Sequence, residues 1–286
     1  MIKLALTDLD DTLIKNGMPH VSEHGAAAIH AMLDEGLHFA PVSGRIPSAM
    51  GWMFDHDEAL YQCAALSNGQ MIYVDGELVH AEEISGDVLN EVAVALRDEG
   101  DAALCMYDVL APDEIASGYF VTDDKQHLER IQGRFRHIPG DAPYLTEPTY
   151  IKANIWCDGT RERATEVRDM LRERFRELDF VFPSPTAPLI DIMPAGWDKG
   201  TATRFLAELL GYGLDEVATF GDSENDLAMI RAVPNSVAVA NAAPEVARVA
   251  RWHIGSAADD AVADALFDIA RAARTGDMPA FMRDER

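Results

Sequence analysis

The sequence predicts an α/β fold, a doubly wound and mostly parallel sheet with an α+β module inserted in its middle. Three observations carry this. Over the first 80 residues, short apolar runs that end in polar or Gly-containing turns alternate with helical stretches. Between about 82 and 188 the segments become strongly charged and Pro-containing, the texture of a separate module. The strand–helix alternation then resumes to the end of the chain.

Each element has a local reason. Ile2 to Thr7 is an apolar run of strand length that stops at Asp8. Ser22 is placed to cap a helix through AAAIHAMLDE, with Gly36 to close it. LHFAPV (37–42) reads as the second strand and ends at Ser43-Gly44-Arg45. CAALSNG (63–69) is a third apolar run ending in a turn, and 71–80 is a hairpin about Asp75-Gly76. The module opens with a helix, SGDVLNEVAVALRDEG, and a β-like run, AALCMYDVL. A charged helix, DDKQHLERIQGRFRH, and a Pro-rich loop (139–148) follow. Then come the strand YIKANIWCD, the helix TRERATEVRDMLRERF and the β-like FVFPSPTAPLIDIM. Past 189, KGTATRFLAELLGYG reads as a helix closed by Gly211 or Gly213. EVATF is a strand ending at Gly221-Asp222, SVAVA is another, and two Ala-rich helices follow.

Composition narrows the function classes. The 286 residues suffice for about two domains. Lys plus Arg number 24 against 49 Asp plus Glu, a formal net charge of −25. That balance argues against nucleic acid and against anionic membranes, both of which need basic patches. A small anionic ligand needs only one local cation and stays allowed. Cys63, Cys105 and Cys157 are widely spaced, with no CxxC or Cys/His cluster, so neither zinc nor a disulfide framework is expected. The opening MIKLALTDLDD lacks the pattern of a signal peptide, and no apolar run approaches the ~18 residues of a membrane span. A cytoplasmic protein with reduced thiols is the expectation.

In an open parallel sheet, ligands bind beyond the carboxyl ends of the strands. Four segments fall there or just before a helix: Asp8-Leu9-Asp10-Asp11-Thr12, Ser43-Gly44-Arg45, Lys199-Gly200, and Gly221-Asp222-Ser223-Glu224-Asn225-Asp226. They supply carboxylates, one lysine, hydroxyls and flexible backbone. Oxygen-only acidic sets suit Mg²⁺. A phosphate fits between such a metal and a lysine, with backbone N–H groups on its remaining oxygens. Each segment alone has a plainer reading, as a solvated turn, a surface lysine or a helix cap. The ordered set at the strand ends carries the chemistry.

These segments, in this order and spacing, resemble the four motifs of the haloacid dehalogenase-like superfamily. The insert between the second and third, with the Ser67-Asn68-Gly69 turn and its hairpin, is similar to the Cof-type phosphatase branch, which carries a large cap there. Asp11 stands where many relatives have glycine. The resemblance implies a Rossmann-like catalytic core at 1–81 and 189–286, and an inserted cap at 82–188. It implies a Mg²⁺-dependent phosphatase for small phosphorylated metabolites, sugar phosphates above all. Asp8 is then the nucleophile that forms an aspartyl phosphate. Asp10 is the general acid and then base. Mg²⁺ is held by Asp8, the Asp10 carbonyl and Asp222, with Asp226 acting through water or orienting the ligands. Lys199 neutralises the phosphate. Ser43, the backbone of Gly44 and Leu9, and the Asn225 amide bind phosphate oxygens, and Thr12 fixes the first turn. Arg45 either points at the leaving group or pairs with an acid. Lys152, on the strand YIKANIW, either faces the site or lies on a solvated face. Met and aromatic residues of AMGWMF (49–54) are packing. A phosphomutase shares the aspartyl-phosphate step, and a non-enzymatic phospho-acceptor switch shares the acidic pocket and lysine. A leaving-group acid and a large insert count against the switch.

Overall fold

The structure is a computed structural model that describes residues 1–111, 118–121, 136–138, 145–184 and 189–283. The chain divides into two compact units. One comprises Met1–Arg45, Met50–His80 and Asp198–Arg286; the other comprises Ile46–Ala49 and Ala81–Trp197.

The chain opens with β1 (Leu4–Thr7), α1 (Glu23–Asp34), β2 (His38–Pro41) and α2 (Pro47–Met53). The β3 (Ala64–Leu66), β4 (Met71–Val74) and β5 (Glu77–Ala81) strands follow. The second unit is built from β6 (Ile84–Ser85), α3 (Gly86–Arg97), β7 (Ala102–Tyr107), β8 (Gly118–Val121), β9 (Arg136–Ile138), β10 (Thr149–Tyr150), β11 (Ala153–Cys157), α4 (Arg161–Arg174), β12 (Leu178–Val181) and β13 (Leu189–Pro194). The chain then returns to the first unit with α5 (Lys199–Leu209), β14 (Val217–Gly221), α6 (Leu227–Ala232), β15 (Asn235–Ala238), α7 (Pro244–Val249), β16 (Trp252–His253) and α8 (Ala261–Thr275).

The five-stranded sheet of the first unit runs β16-β15-β14-β1-β2, with every pairing parallel. Its centre, Leu4-Ala5-Leu6, is fully buried, as a strand covered on both faces must be. Register decides what meets at the carboxyl edge. Thr7 lies opposite Phe220 on one side and Pro41 on the other. The residues that follow each strand, Asp8, Gly221-Asp222 and Val42-Ser43, therefore emerge together. Ser22 caps α1 by accepting from the Gly25 N–H at 2.9 Å, and Gly36 takes a φ of +72° just past its end. The hairpin turn holds Asp75 and Gly76 at φ of 52° and 77°, as a tight two-residue turn requires. Gly211, at +76°, is the residue that closes α5.

The second unit carries a six-stranded sheet in the order β12-β13-β11-β7-β8-β9, antiparallel except for the β8–β9 pair. Leu89, Val92, Leu96, Val167 and Leu171, on α3 and α4, form its core with Leu104, Ile155, Phe180 and Ile192 from the strands. The strand β13 corrects the expected boundary at 189. Its ladders run to β11 and β12, so the chain leaves this unit only at Trp197. Most of the expected charged helix DDKQHLERIQGRFRH lies outside the described residues, and its last two positions belong to β9. Residues 139–144 of the expected Pro-rich loop are likewise outside them.

All three cysteines are free and buried. Among the described residues, no helix is long and apolar enough to cross a membrane. Of the AMGWMF residues, Ala49, Met50, Met53 and Phe54 are buried, while Trp52 is exposed, with the Arg45 guanidinium 6.0 Å from its ring centre.

Candidate active site

The parallel register brings Asp8, Asp222 and Asp226 together at the carboxyl edge of β1 and β14. Each can offer one carboxylate oxygen to a common centre, the three oxygens lying within 4.8 Å of one another. Lys199 is wholly buried among them. Its ammonium donates to Asp8 Oδ1 at 2.6 Å and to Asp226 Oδ1 at 2.7 Å. Asp198 places this lysine by capping α5 through the Thr201 N–H at 2.8 Å. The helix can approach so closely because Gly200 lacks a side chain: a Cβ there would lie 2.5 Å from the Ala228 carbonyl oxygen.

Asp226 is committed on both oxygens. While Oδ1 holds Lys199, Oδ2 accepts from the Asp222 and Ser223 N–H groups at 2.9 and 3.0 Å. It therefore shapes the loop as a cap and also pairs with the lysine. Gly221 allows this, since a Cβ there would come within 2.6 Å of Asp226 Cβ. Asp222 is oriented from both sides. Thr12 Oγ1 donates to its Oδ1 at 2.9 Å, and Ser223 Oγ donates to its Oδ2 at 2.8 Å. The Thr12 side chain thus ties the first turn to the loop after β14. Asp11 sits at a φ of +60°, the left-handed region that glycine enters freely and aspartate tolerates.

Three buried carboxylates around one ammonium leave two negative charges in excess. Burial, helped by Asp226 and by the other carboxylates nearby, pushes the Asp8 carboxyl well above its ordinary value even with Lys199 at hand. The Asp222 carboxyl is pushed up to about 7, by burial first and Asp226 second. Burial alone would lower the Lys199 ammonium, but Asp226 and Asp8 outweigh it and hold it raised. An all-oxygen donor set with this excess fits a hard divalent cation in charge and chemistry.

Around this cluster lie the other expected residues. Asp10 is exposed, and Arg45 grips it in a two-pronged bond, Nε to Oδ2 and Nη2 to Oδ1, both at 2.9 Å. Of the two expectations for Arg45, pairing with an acid is the one seen. The Leu9 side chain is buried, and its carbonyl accepts from Ile14 N–H at 2.8 Å, folding the turn back. Ser43 is buried, and its Oγ accepts from the Arg45 N–H at 3.2 Å across Gly44. Asn225 donates to Asn68 Oδ1 at 3.2 Å. Lys152 does not lie on a solvated face. It is buried in the second unit, 2.9 Å from Asp191 Oδ1, which also accepts from Asn154. Sequence reasoning assigned no site role to Ser223 or Asn68. Their signal is adjacency, to the Gly221-Asp222 pair and in the Ser67-Asn68-Gly69 turn.

Comparison with known proteins identifies the family. The haloacid dehalogenase-like hydrolase family matches residues 5–266. The Streptococcus pyogenes serotype M6 protein M6_Spy0533 is 36% identical over 283 residues, covering 93% of this chain and 97% of its own. The HMP-PP phosphatase of Escherichia coli O6:H1 is 26% identical over 253 residues, covering 86% and 87%. Among solved structures, the HAD subclass IIB sugar phosphatase BT4131 superposes with a TM-score of 0.73 at 18% identity, over 92% of this chain and 97% of that one. With its ordered motifs gathered at one sheet edge and a family match along nearly its whole length, the chain belongs to the haloacid dehalogenase-like hydrolases.

Proposed function

We propose that this protein is a Mg²⁺-dependent phosphatase that hydrolyses small phosphorylated metabolites, sugar phosphates in particular, through an aspartyl phosphate on Asp8. The observation that carries the reading is the buried cluster of Asp8, Asp222, Asp226 and Lys199, with a second carboxylate, Asp10, two residues from the first and open to solvent. Asp8 and Asp222 would hold the cation with the Asp10 carbonyl, and Asp226 serves through Lys199 and the loop backbone. When bound, the cation offsets the negative charge of the cluster and of an incoming phosphate.

Asp8 attacks phosphorus with one carboxylate oxygen, and the bond from phosphorus to the alcohol oxygen breaks. Asp10 gives its proton to the departing alcohol, then removes one from the water that attacks the aspartyl phosphate. Asp10 must hold that proton first, so Arg45, which occupies both of its carboxylate oxygens, has to release it as substrate enters. Lys199 neutralises charge on the phosphoryl oxygens, and Ser43, Asn225 and the backbone of Leu9 and Gly44 bind them. The unit around the five-stranded sheet is the catalytic core, and the inserted unit is the cap that selects substrate. The sugar-phosphate class is supported by the family resemblance and by the name of the like-folded BT4131.

The test is Asp8→Asn, which keeps size and removes the nucleophile. Turnover of p-nitrophenyl phosphate with Mg²⁺ should fall by at least about 10³-fold while the circular dichroism spectrum is unchanged. Activity within tenfold of the parent, in protein shown free of deamidation, contradicts the reading.

A further inference from the structure

The turn Ser67-Asn68-Gly69 lies outside the chemistry described above, yet it touches three of the loops that make the site. All three residues take positive φ, at 52°, 58° and 90°. Two adjacent non-glycine residues in the left-handed region carry a backbone cost, and they persist only where their surroundings over-determine them. Those surroundings are specific. The Ser67 N–H donates to the Arg45 carbonyl and the Asn68 N–H to the Ser43 carbonyl, each at 2.8 Å. Gly69 presses on the first turn of α5, the turn that bears Lys199: a Cβ there would lie 2.4 Å from Ala202 Cβ. Asn68 Oδ1 accepts from Asn225 Nδ2 at 3.2 Å, and both residues are buried.

The last bond matters most. The Asn225 side-chain oxygen, Oδ1, is buried with no hydrogen-bond partner among the described residues. The bond to Asn68 is therefore what fixes the plane of the Asn225 amide among the described residues. A carboxamide nitrogen has two N–H groups, and Asn68 takes one. The other remains for a phosphate oxygen.

We propose that Asn68 is a positioning residue for the phosphate pocket: it holds the Asn225 amide by its Oδ1 while the strained turn that carries it braces the Ser43 loop against the start of α5. The inference rests on reading Asn225 as a phosphate contact. Positioning side chains of this kind set how well a binding group is aimed, without touching the ligand.

The test is a double-variant cycle read by the dissociation constant for inorganic phosphate, measured by calorimetry with Mg²⁺ present. Asn68→Gly removes the acceptor, and glycine takes positive φ without cost, so the fold should stand. Losing one hydrogen bond is worth roughly tenfold in affinity. Asn68→Gly and Asn225→Ala should each weaken phosphate binding by about that factor, and the double variant should be no weaker than Asn225→Ala alone. Asn68→Ser, which withdraws the acceptor without loosening the backbone, is taken through the same cycle with the same expectation. Factors that multiply in the double variant, or an affinity for Asn68→Gly and Asn68→Ser within twofold of the parent, overturn the proposal. Asp8→Asn, assayed beside them for turnover, reports on the phosphatase reading alone.

Discussion

Lys199→Met keeps the length and the apolar stem of the side chain and removes only the ammonium. That ammonium is fully buried, at 2.6 Å from Asp8 and 2.7 Å from Asp226. Removing one partner of a buried ion pair costs about 3–5 kcal/mol, because the charge left behind has neither partner nor water. At roughly 2–4 °C per kcal/mol for a large domain, the melting temperature of the metal-free protein should fall by about 6–20 °C at pH 8. The loss should depend on pH with a definite sign. Burial already pushes the Asp8 carboxyl up and the Asp222 carboxyl to about 7, and without the ammonium both rise further. A group whose folded pKa exceeds its unfolded value, about 3.9 for aspartate, stabilises the fold below that value. That contribution is lost as the pH climbs through the folded pKa. The penalty for Lys199→Met is therefore largest at pH 8 and shrinks towards pH 5, where the carboxyls take up protons. Urea titrations of parent and variant in EDTA at both pH values measure it. A penalty below about 1 kcal/mol at pH 8, or an equal one at both pH values, refutes the idea that Lys199 neutralises this cluster.

Other perturbations give equally definite expectations. Asp10→Asn should slow phosphorylation of Asp8 by a sugar phosphate by about 10²–10⁴-fold, the usual reach of general acid catalysis, and by much less with p-nitrophenyl phosphate, whose leaving group needs little help. Equal slowing with both substrates in rapid-quench experiments contradicts the acid role. Mg²⁺ should raise the melting temperature more at pH 8 than at pH 5.5, since the Asp222 carboxyl, at about 7, must lose its proton to bind; an equal rise at both argues that Asp222 is not a ligand. In the second unit, Lys152→Met should cost about 3–5 kcal/mol by stranding the buried Asp191 carboxylate, and adding Asp191→Leu should restore most of it, as urea titration would show. Failure of the second change to restore stability means that the packing of Lys152, rather than its charge, is what counts.

The parts of the fold that were legible are those written locally. Strand runs that stop at polar residues, the Ser22 cap and the Asp75-Gly76 turn each need only a few adjacent residues. The gathering of the candidate residues was legible because they follow strand ends, and parallel register carries those ends to one edge. Pairings between distant positions were not. The Arg45–Asp10 fork, the Thr12–Asp222 bond across 210 positions and the Asn68–Asn225 bond depend on how loops fold over one another. The buried pairing of Lys152 is hidden in the sequence because its partner, Asp191, sits 39 positions away on a neighbouring strand. The β13 strand misled for the same reason, since its place is fixed by ladders to β11 and β12 rather than by its own pattern.

The central claim is that Asp8 carries the phosphoryl group. Asp10→Asn, mixed with ³²P-labelled p-nitrophenyl phosphate and Mg²⁺ and quenched in acid within the first turnover, should trap the intermediate, because its hydrolysis lacks a base. Peptide mapping should place the label, close to one per chain, on the peptide that contains Asp8, and Asp8→Asn should take up none. Label on another residue, or turnover by the parent with no labelled enzyme at any quench time in either protein, would contradict it.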